Sequence, residues 1–182
     1  IMANGNSVTT AKGSVFAITE YARTLAARGL HARAVVAYEQ AIKAIAGDDR
    51  VLAPVLLALA KAQLAIDDQA AALASLGRAR RLTPAGSGTR VEIDEALIDA
   101  HRRVGRLPEY AAELAAAKVR TPYDNELLAR LYDELGDATQ ALGSLRRALA
   151  QNRGRIETRE RVIALLVRQG ELDAAMNLAP TD

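Results

Sequence analysis

The sequence predicts an all-α protein, an α-solenoid of about five helix-turn-helix units with the last one incomplete. Three observations carry this. A turn residue recurs at Gly29, Asp67, Gly105, Gly136 and Gly170, at spacings of about 38, 38, 31 and 34 residues, the period range of stacked helix-pair repeats. A ladder of mostly small residues follows each turn: Ala34, Ala72, Tyr110, Ala141 and Ala175, then Ala41, Ala79, Ala117 and Ala148 after the first four. The composition is that of a helical protein. Of 182 residues, 50% are hydrophobic, mostly Ala and Leu, with five Tyr, one Phe and no Trp. Alanine is the best helix former and strand formers are sparse.

The elements follow in order. Residues 1–13 are polar, with Gly5 and Gly13, and are expected to form a loose lead-in. A first helix is expected from about Ser14, a suitable N-cap, to Arg28. Its apolar stripe is Phe16, Ile18, Tyr21, Ala22 and Leu25, and Gly29 stops it. The second helix, about His31 to Ile45, is followed by a break at Gly47–Arg50. Val51–Ile66 and Gln69–Leu82 form the next pair, closed by Thr83-Pro84 and a flexible Ala85–Gly88. Val91–Val104 and Leu107–Val119 follow, with Pro108 in the first turn, where its missing N–H costs nothing. Asp124–Leu135 and Ala138–Ala150 come next, then Ile156–Gln169 and a short Leu172–Leu178 ending at Pro180. The units are therefore 14–50, 51–90, 91–121, 122–154 and 155–179, with 180–182 a tail. Each pair has an apolar face that it cannot bury alone, so pairs must stack. The Ala positions mark the closest helix crossings.

Composition also bounds function. With 24 basic and 22 acidic residues the net charge is +2. The pI of about 9.1 reflects 20 Arg against 4 Lys, not the marked basic excess of a nucleic-acid binder. The Ala- and Arg-rich composition suggests a high-GC bacterial genome. The absence of cysteine excludes a disulfide framework, a zinc-thiolate site or a thiol nucleophile. No apolar stretch is long enough to span a membrane; Val51–Ile66 is interrupted by Pro54, Lys61 and Gln63. Ile1–Ser7 does not read as a signal peptide. The sequence is expected to be part of a longer protein, with any targeting segment outside it.

Candidate chemistry is thin. His31 and His101 are the only histidines and lack metal-spaced partners. The cluster Asp94, Glu95 and Asp99 lacks the loop spacing of a calcium site and is expected on a solvated or partner-facing helix surface. Arg78-Ala79-Arg80-Arg81, Arg102-Arg103 and Arg146-Arg147 mostly lie near helix C-termini, where cations complement the dipole. Gly86-Ser87-Gly88 does not follow a strand, as a phosphate-binding loop would. No Ser or Thr has His-acid support for nucleophilic catalysis. No enzyme, metal or cofactor is expected.

The repeated unit resembles the tetratricopeptide repeat. The fourth unit matches best: Pro122-Tyr123-Asp124-Asn125, then Leu128, Ala129 and Tyr132, Gly136-Asp137, and Ala141, Leu145, Ala148 and Leu149. The second offers Leu56, Leu59, Ala60, Ala72, Leu76, Ala79 and Pro84; the first offers Ala22, Gly29, Ala34, Tyr38 and Ala41. The third departs, with Ile98 and Tyr110 where small residues are usual. The fifth keeps Gly170 and Ala175 but is short.

This resemblance, over about residues 14–179, implies a right-handed α-solenoid whose first helices line a concave groove that grips a partner segment. The implied groove presents Phe16, Thr19 and Arg23, then Leu57, Lys61 and Leu64, then Glu92, Glu95, Asp99 and Arg102, then Tyr123, Glu126, Arg130 and Asp133. Its N-terminal half is expected to be apolar and mildly basic, its middle acidic. The family's Lys/Asn clamp for C-terminal carboxylates is missing here, since Thr19 with Arg23 and Leu57 with Lys61 stand at its positions. The expected function is a protein-binding scaffold within a larger bacterial protein, in envelope, secretion or exopolysaccharide-export machinery. The alternatives are a regulatory or sensory module and, on Arg content alone, a nucleic-acid-binding repeat. Leu172, Met176 and Leu178 would lie uncapped, so the array is expected to continue or to self-associate there. The location is open between bacterial cytoplasm and periplasm.

Overall fold

The computed structural model describes residues 5–45, 48–118 and 120–178, with side chains from residue 13 onward. Among these residues there are ten helices and no strand. They are α1 (Gly5–Ala27), α2 (His31–Ala44), α3 (Asp49–Ala65), α4 (Gln69–Leu82), α5 (Gly88–Arg103), α6 (Leu107–Ala116), α7 (Pro122–Glu134), α8 (Ala138–Gln151), α9 (Ile156–Arg168) and α10 (Leu172–Met176). The protein is an all-α helical-repeat solenoid.

All five expected turns carry the left-handed backbone that a helix stop requires: φ is 76° at Gly29, 60° at Asp67, 67° at Gly105, 79° at Gly136 and 81° at Gly170. At four of them the same long hydrogen bond closes the helix. Leu30 N donates to Leu25 O and Asp68 N to Gln63 O at 2.9 Å, Asp137 N to Tyr132 O at 2.8 Å, and Glu171 N to Leu166 O at 2.9 Å. This is the Schellman closure. The next residue often starts the following helix: Asp68 accepts from Ala71 N–H at 3.1 Å and Asp137 from Gln140 N–H at 3.0 Å. A β-carbon built on Gly136 meets nothing within 4 Å, so substitution there costs only backbone conformation. Gly136→Ala is expected to destabilise by about 1–2 kcal/mol, the left-handed penalty of an L-residue; urea denaturation measures it.

Several boundaries differ from expectation, each for a local reason. The expected lead-in is helical from Gly5, and Ser14 lies inside α1, not at its cap; residues 1–4 lie outside the described residues. Extending a helix by a turn costs less than nucleating a new one. Helix α3 starts at Asp49, because the Asp48 side chain accepts from Arg50 N–H at 3.1 Å; Gly47, in the expected break, lies outside the described residues. Ser87 Oγ accepts from Arg90 N–H at 3.3 Å. The stretch expected to be flexible is therefore a short turn and a cap, and Gly88 belongs to α5. At α7, Thr121 Oγ1 accepts from Asp124 N–H while Asp124 accepts from Thr121 N–H, both at 3.1 Å. This capping box moves the start to Pro122. Helix α6 ends at Ala116, before Val119, which lies outside the described residues, and α10 ends at Met176, before Leu178.

Contacts divide the chain into two compact units, Ile1–Gly105 and Arg106–Asp182. The division falls at the turn of the third pair, the one carrying the atypical Ile98 and Tyr110; both side chains are buried. In the first unit each helix packs on its sequence neighbour, and the first helices also touch, α1 with α3 and α3 with α5. That is the stacking of helix hairpins. Ala22, Ala34, Ala41, Ala60, Ala72 and Ala79 have no exposed surface, as expected of residues at helix crossings. In the second unit α6 through α10 pack in the same sequential way. Ala129, Ala141 and Leu145 meet Val162, Leu165 and Leu166 in its core.

Candidate protein-binding surfaces

In the first unit the expected groove residues lie on three first helices. On α1, Phe16 is 68% exposed, Thr19 donates to Val15 O at 2.8 Å, and Arg23 pairs with Glu20. Behind them burial raises the pKa of the Tyr38 hydroxyl, opposed by Arg23 and assisted by Glu20.

On α3 the expectation needs correction. Leu57 does not line a groove; it is buried, with Leu52, Ala53, Val55, Leu56, Leu59, Ala60, Ala62 and Gln63. Helix α3 is flanked by α2 and α4 and touched by α1 and α5, so most of its circumference is covered. Its open stripe is Val51, Pro54, Lys61 and Ala65, with Ala58 half-buried between them. Leu64 is half-buried. Lys61 reaches Glu92 of α5 at 3.4 Å. Glu95 is exposed, and Asp99 pairs with Arg102 one turn on. Much of the acidic middle is thus matched by neighbouring cations.

Asp94 is a second correction. It belongs to the acidic cluster expected on a surface, but it is 1% exposed. Arg80 Nε of α4 donates to Asp94 Oδ1 at 2.6 Å and Arg90 Nε to Oδ2 at 3.0 Å. Arg90 also donates to Arg80 O at 3.0 Å and Thr83 O at 2.8 Å, carbonyls at the end of α4. Arg80 was expected to serve the helix dipole from the surface; it crosses instead to the next helix. This network fixes α4 on α5 and is structural.

The second unit holds the more developed surface. Tyr123 is half-buried and Arg130 exposed. Glu126 of α7 accepts from Thr158 of α9 and pairs with Arg155 at 3.1 Å. Asp133 accepts from Arg168 of α9 at 2.6 Å. Between these pairs stands Arg161, whose pKa burial lowers, Glu126 and Asp133 raise, and Arg130 lowers. An arginine stays charged through such a shift. Arg161 and Arg168 also rim a cleft of about 250 Å³ with Asp133, over a floor of Ala129, Leu145, Ala164 and Leu165. The α9 residues are absent from the expected groove. Their spacing, Arg155, Thr158, Arg161, Arg168, is a helical stripe legible in the sequence. Among the described residues no group of three or more His, Asp or Glu could hold a metal ion, and no helix is long and apolar enough to cross a membrane.

The class that this fold defines is a helical-repeat protein with the tetratricopeptide-repeat fold. Solved structures carry the likeness. A crystal structure of MamA protein superposes with a TM-score of 0.51 at 18% identity, covering 90% of this chain and 87% of that one. Pseudomonas aeruginosa PilF gives 0.51 at 17% identity, covering 93% and 75%. The nearly identical TPR-like repeats of a Podosopora anserina kinesin light chain give 0.50 at 18% identity, covering 91% of each chain. No family model matches the sequence, and a search of curated proteins finds no match.

Proposed function

We propose that this chain is a non-enzymatic protein-binding scaffold that holds a segment of another protein on its first-helix faces. The observation that carries this reading is the α7–α9 surface. Arg155, Arg161 and Arg168 stand against the carboxylates Glu126 and Asp133, and Arg161 and Arg168 border a cleft lined by small and branched apolar side chains. Such a surface suits a segment offering a carboxylate beside a modest apolar residue, with guanidinium forks fixing the orientation. In the first unit, exposed Phe16 and the open stripe of α3 add an apolar contact with paired charges at its edge.

A bacterial envelope, secretion or exopolysaccharide-export assembly is the proposed setting, by analogy at the level of fold. The test is affinity capture from the native organism. Wild type, Arg161→Glu/Arg168→Glu and Arg23→Glu/Lys61→Glu serve as parallel baits, each first shown to melt within about 2 °C of wild type. Proteins held by wild type and lost from the first double variant are the expected result. Identical captures from all three baits would move the binding face elsewhere. Envelope or secretion components among the lost proteins support the proposed setting, and their absence removes it.

A further inference from the structure

The cleft between α7 and α9 takes one wall from each helix. Arg161, Ala164, Leu165 and Arg168 are spaced i, i+3, i+4 and i+7, so they share one face of α9. Ala129 and Asp133 stand opposite on α7, and Leu145 of α8 adds to the apolar floor. Leu178, the last described residue, lies with Leu149 and Val162 at a different face of α9. The charges in the cleft are unequally served. Arg155 takes Glu126 at 3.1 Å, and Arg168 takes Asp133 at 2.6 Å. Arg161 is half-buried, and among the described residues its guanidinium has no hydrogen bond and no ion pair. It has given up part of its hydration with no bonded anion in return, and Arg130 repels it further.

We infer that Arg161 anchors this cleft by taking one acidic side chain of an extended partner segment, with an aliphatic residue of valine size, two positions from the acid, seated on the apolar floor. The inference rests on the reading of the α7–α9 face proposed above and names what that face selects. Charge sets the acid. The guanidiniums of Arg155, Arg161 and Arg168 meet the carboxylates of Glu126 and Asp133, and one further carboxylate balances them through a bidentate bond to Arg161. A phosphate dianion exceeds that balance and is repelled by Glu126 and Asp133, which disfavours a phosphorylated segment. Nucleic acid meets the same repulsion and finds no aromatic residue in the lining on which a base could stack. Room sets the backbone. A cavity of about 150 Å³ admits one benzene ring, so the cleft of about 250 Å³ seats two medium side chains. A helix, about 10–12 Å across with its side chains, is too wide for it. In an extended segment alternate side chains point the same way, so residues i and i+2 enter together.

The probe is a fluorescein-labelled nine-residue peptide, amidated at its C-terminus, with a central Glu, Val two positions to either side, and Ser and Gly elsewhere. Its symmetry offers the same pattern in either chain direction. Fluorescence anisotropy on the full chain compares it with counterparts carrying Gln or phosphoserine in place of the Glu. The Glu peptide is expected to bind about tenfold more tightly than either, the scale of a charge-assisted hydrogen bond. Arg161→Gln is expected to lose the preference for Glu over Gln, while Arg147→Gln, at an exposed arginine of α8 outside the cleft, keeps it. Ala164→Glu, at an exposed position one turn from Arg161, supplies an acid from within the chain. It is expected to bring the Glu peptide down to the Gln peptide's affinity, which decides the matter should Arg161→Gln fail to fold. Equal binding of the Glu and Gln peptides, no detectable binding of either, or an unchanged preference in Ala164→Glu overturns the inference. So does tighter binding of the phosphoserine peptide, unchanged affinity when both valines are moved next to the Glu, or dimerisation in sedimentation that Arg161→Gln abolishes. If the peptides bind alike while protein capture still depends on Arg161 and Arg168, this inference alone falls; if capture is indifferent to that pair, the reading of the face falls with it.

Discussion

Asp94→Ala is expected to destabilise the chain by about 3 kcal/mol or more, the scale of breaking a buried ion pair by removing one partner. Asp94 is 1% exposed and receives Arg80 and Arg90 on its two oxygens. Truncation leaves the nearly buried Arg90 guanidinium without the charge opposite it, in a place water enters poorly. For a chain of this size about 3 kcal/mol corresponds to a fall in Tm of roughly 6–12 °C, read by thermal circular dichroism. Asp94→Leu/Arg90→Met is expected to recover part of the loss, because an apolar pair carries no stranded charge. Recovery stays partial, since Arg90 also satisfies the Arg80 and Thr83 carbonyls. A Tm shift below about 2 °C for Asp94→Ala would show that the pair is solvated in solution and does not hold α4 to α5.

Leu166→Ala is expected to cost a comparable amount in the second unit, about 2–5 kcal/mol. Leu166 has no exposed surface and packs in the cluster with Leu142, Val162 and Ala175. Part of the cost is the lost transfer of a leucine side chain from water, about 1.5–3 kcal/mol; the rest comes from the cavity left where α8, α9 and α10 meet. The neighbouring exposed Val167 is the control, since Val167→Ala on the open face of α9 should change stability by less than about 0.5 kcal/mol. Equal effects at the two positions, measured by urea denaturation, would contradict the assigned facing of α9.

Legibility in the sequence followed the range of the forces involved. Gly29, Gly105, Gly136 and Gly170 were readable as helix stops because left-handed backbone is a local demand that glycine meets best. Asp67 was readable through the repeat period, and its φ of 60° fits the same stop with a residue that tolerates it less well. The small-residue ladder likewise announced the helix crossings, and those alanines are buried. What failed needed knowledge of neighbours. Leu57 was placed on an open stripe because its own helix allows it, but α3 is flanked by α2 and α4 and also touched by α1 and α5. Asp94 read as one of three surface acids; its partner Arg80 lies 14 residues away on another helix, and nothing in the spacing says which acid turns inward. The arginines of α9 became a candidate surface only when α7 was seen to bring Glu126 and Asp133 to them.

By itself, then, the sequence determined the helices, their stops and the requirement that helix pairs stack, since propensity, capping and amphipathic period act within a few residues. The tertiary structure alone decided which charges are buried, which are paired and which clefts stay open. Those outcomes depend on which helices come to lie side by side, as where α7 and α9 bring Glu126 to Arg155 and Asp133 to Arg168.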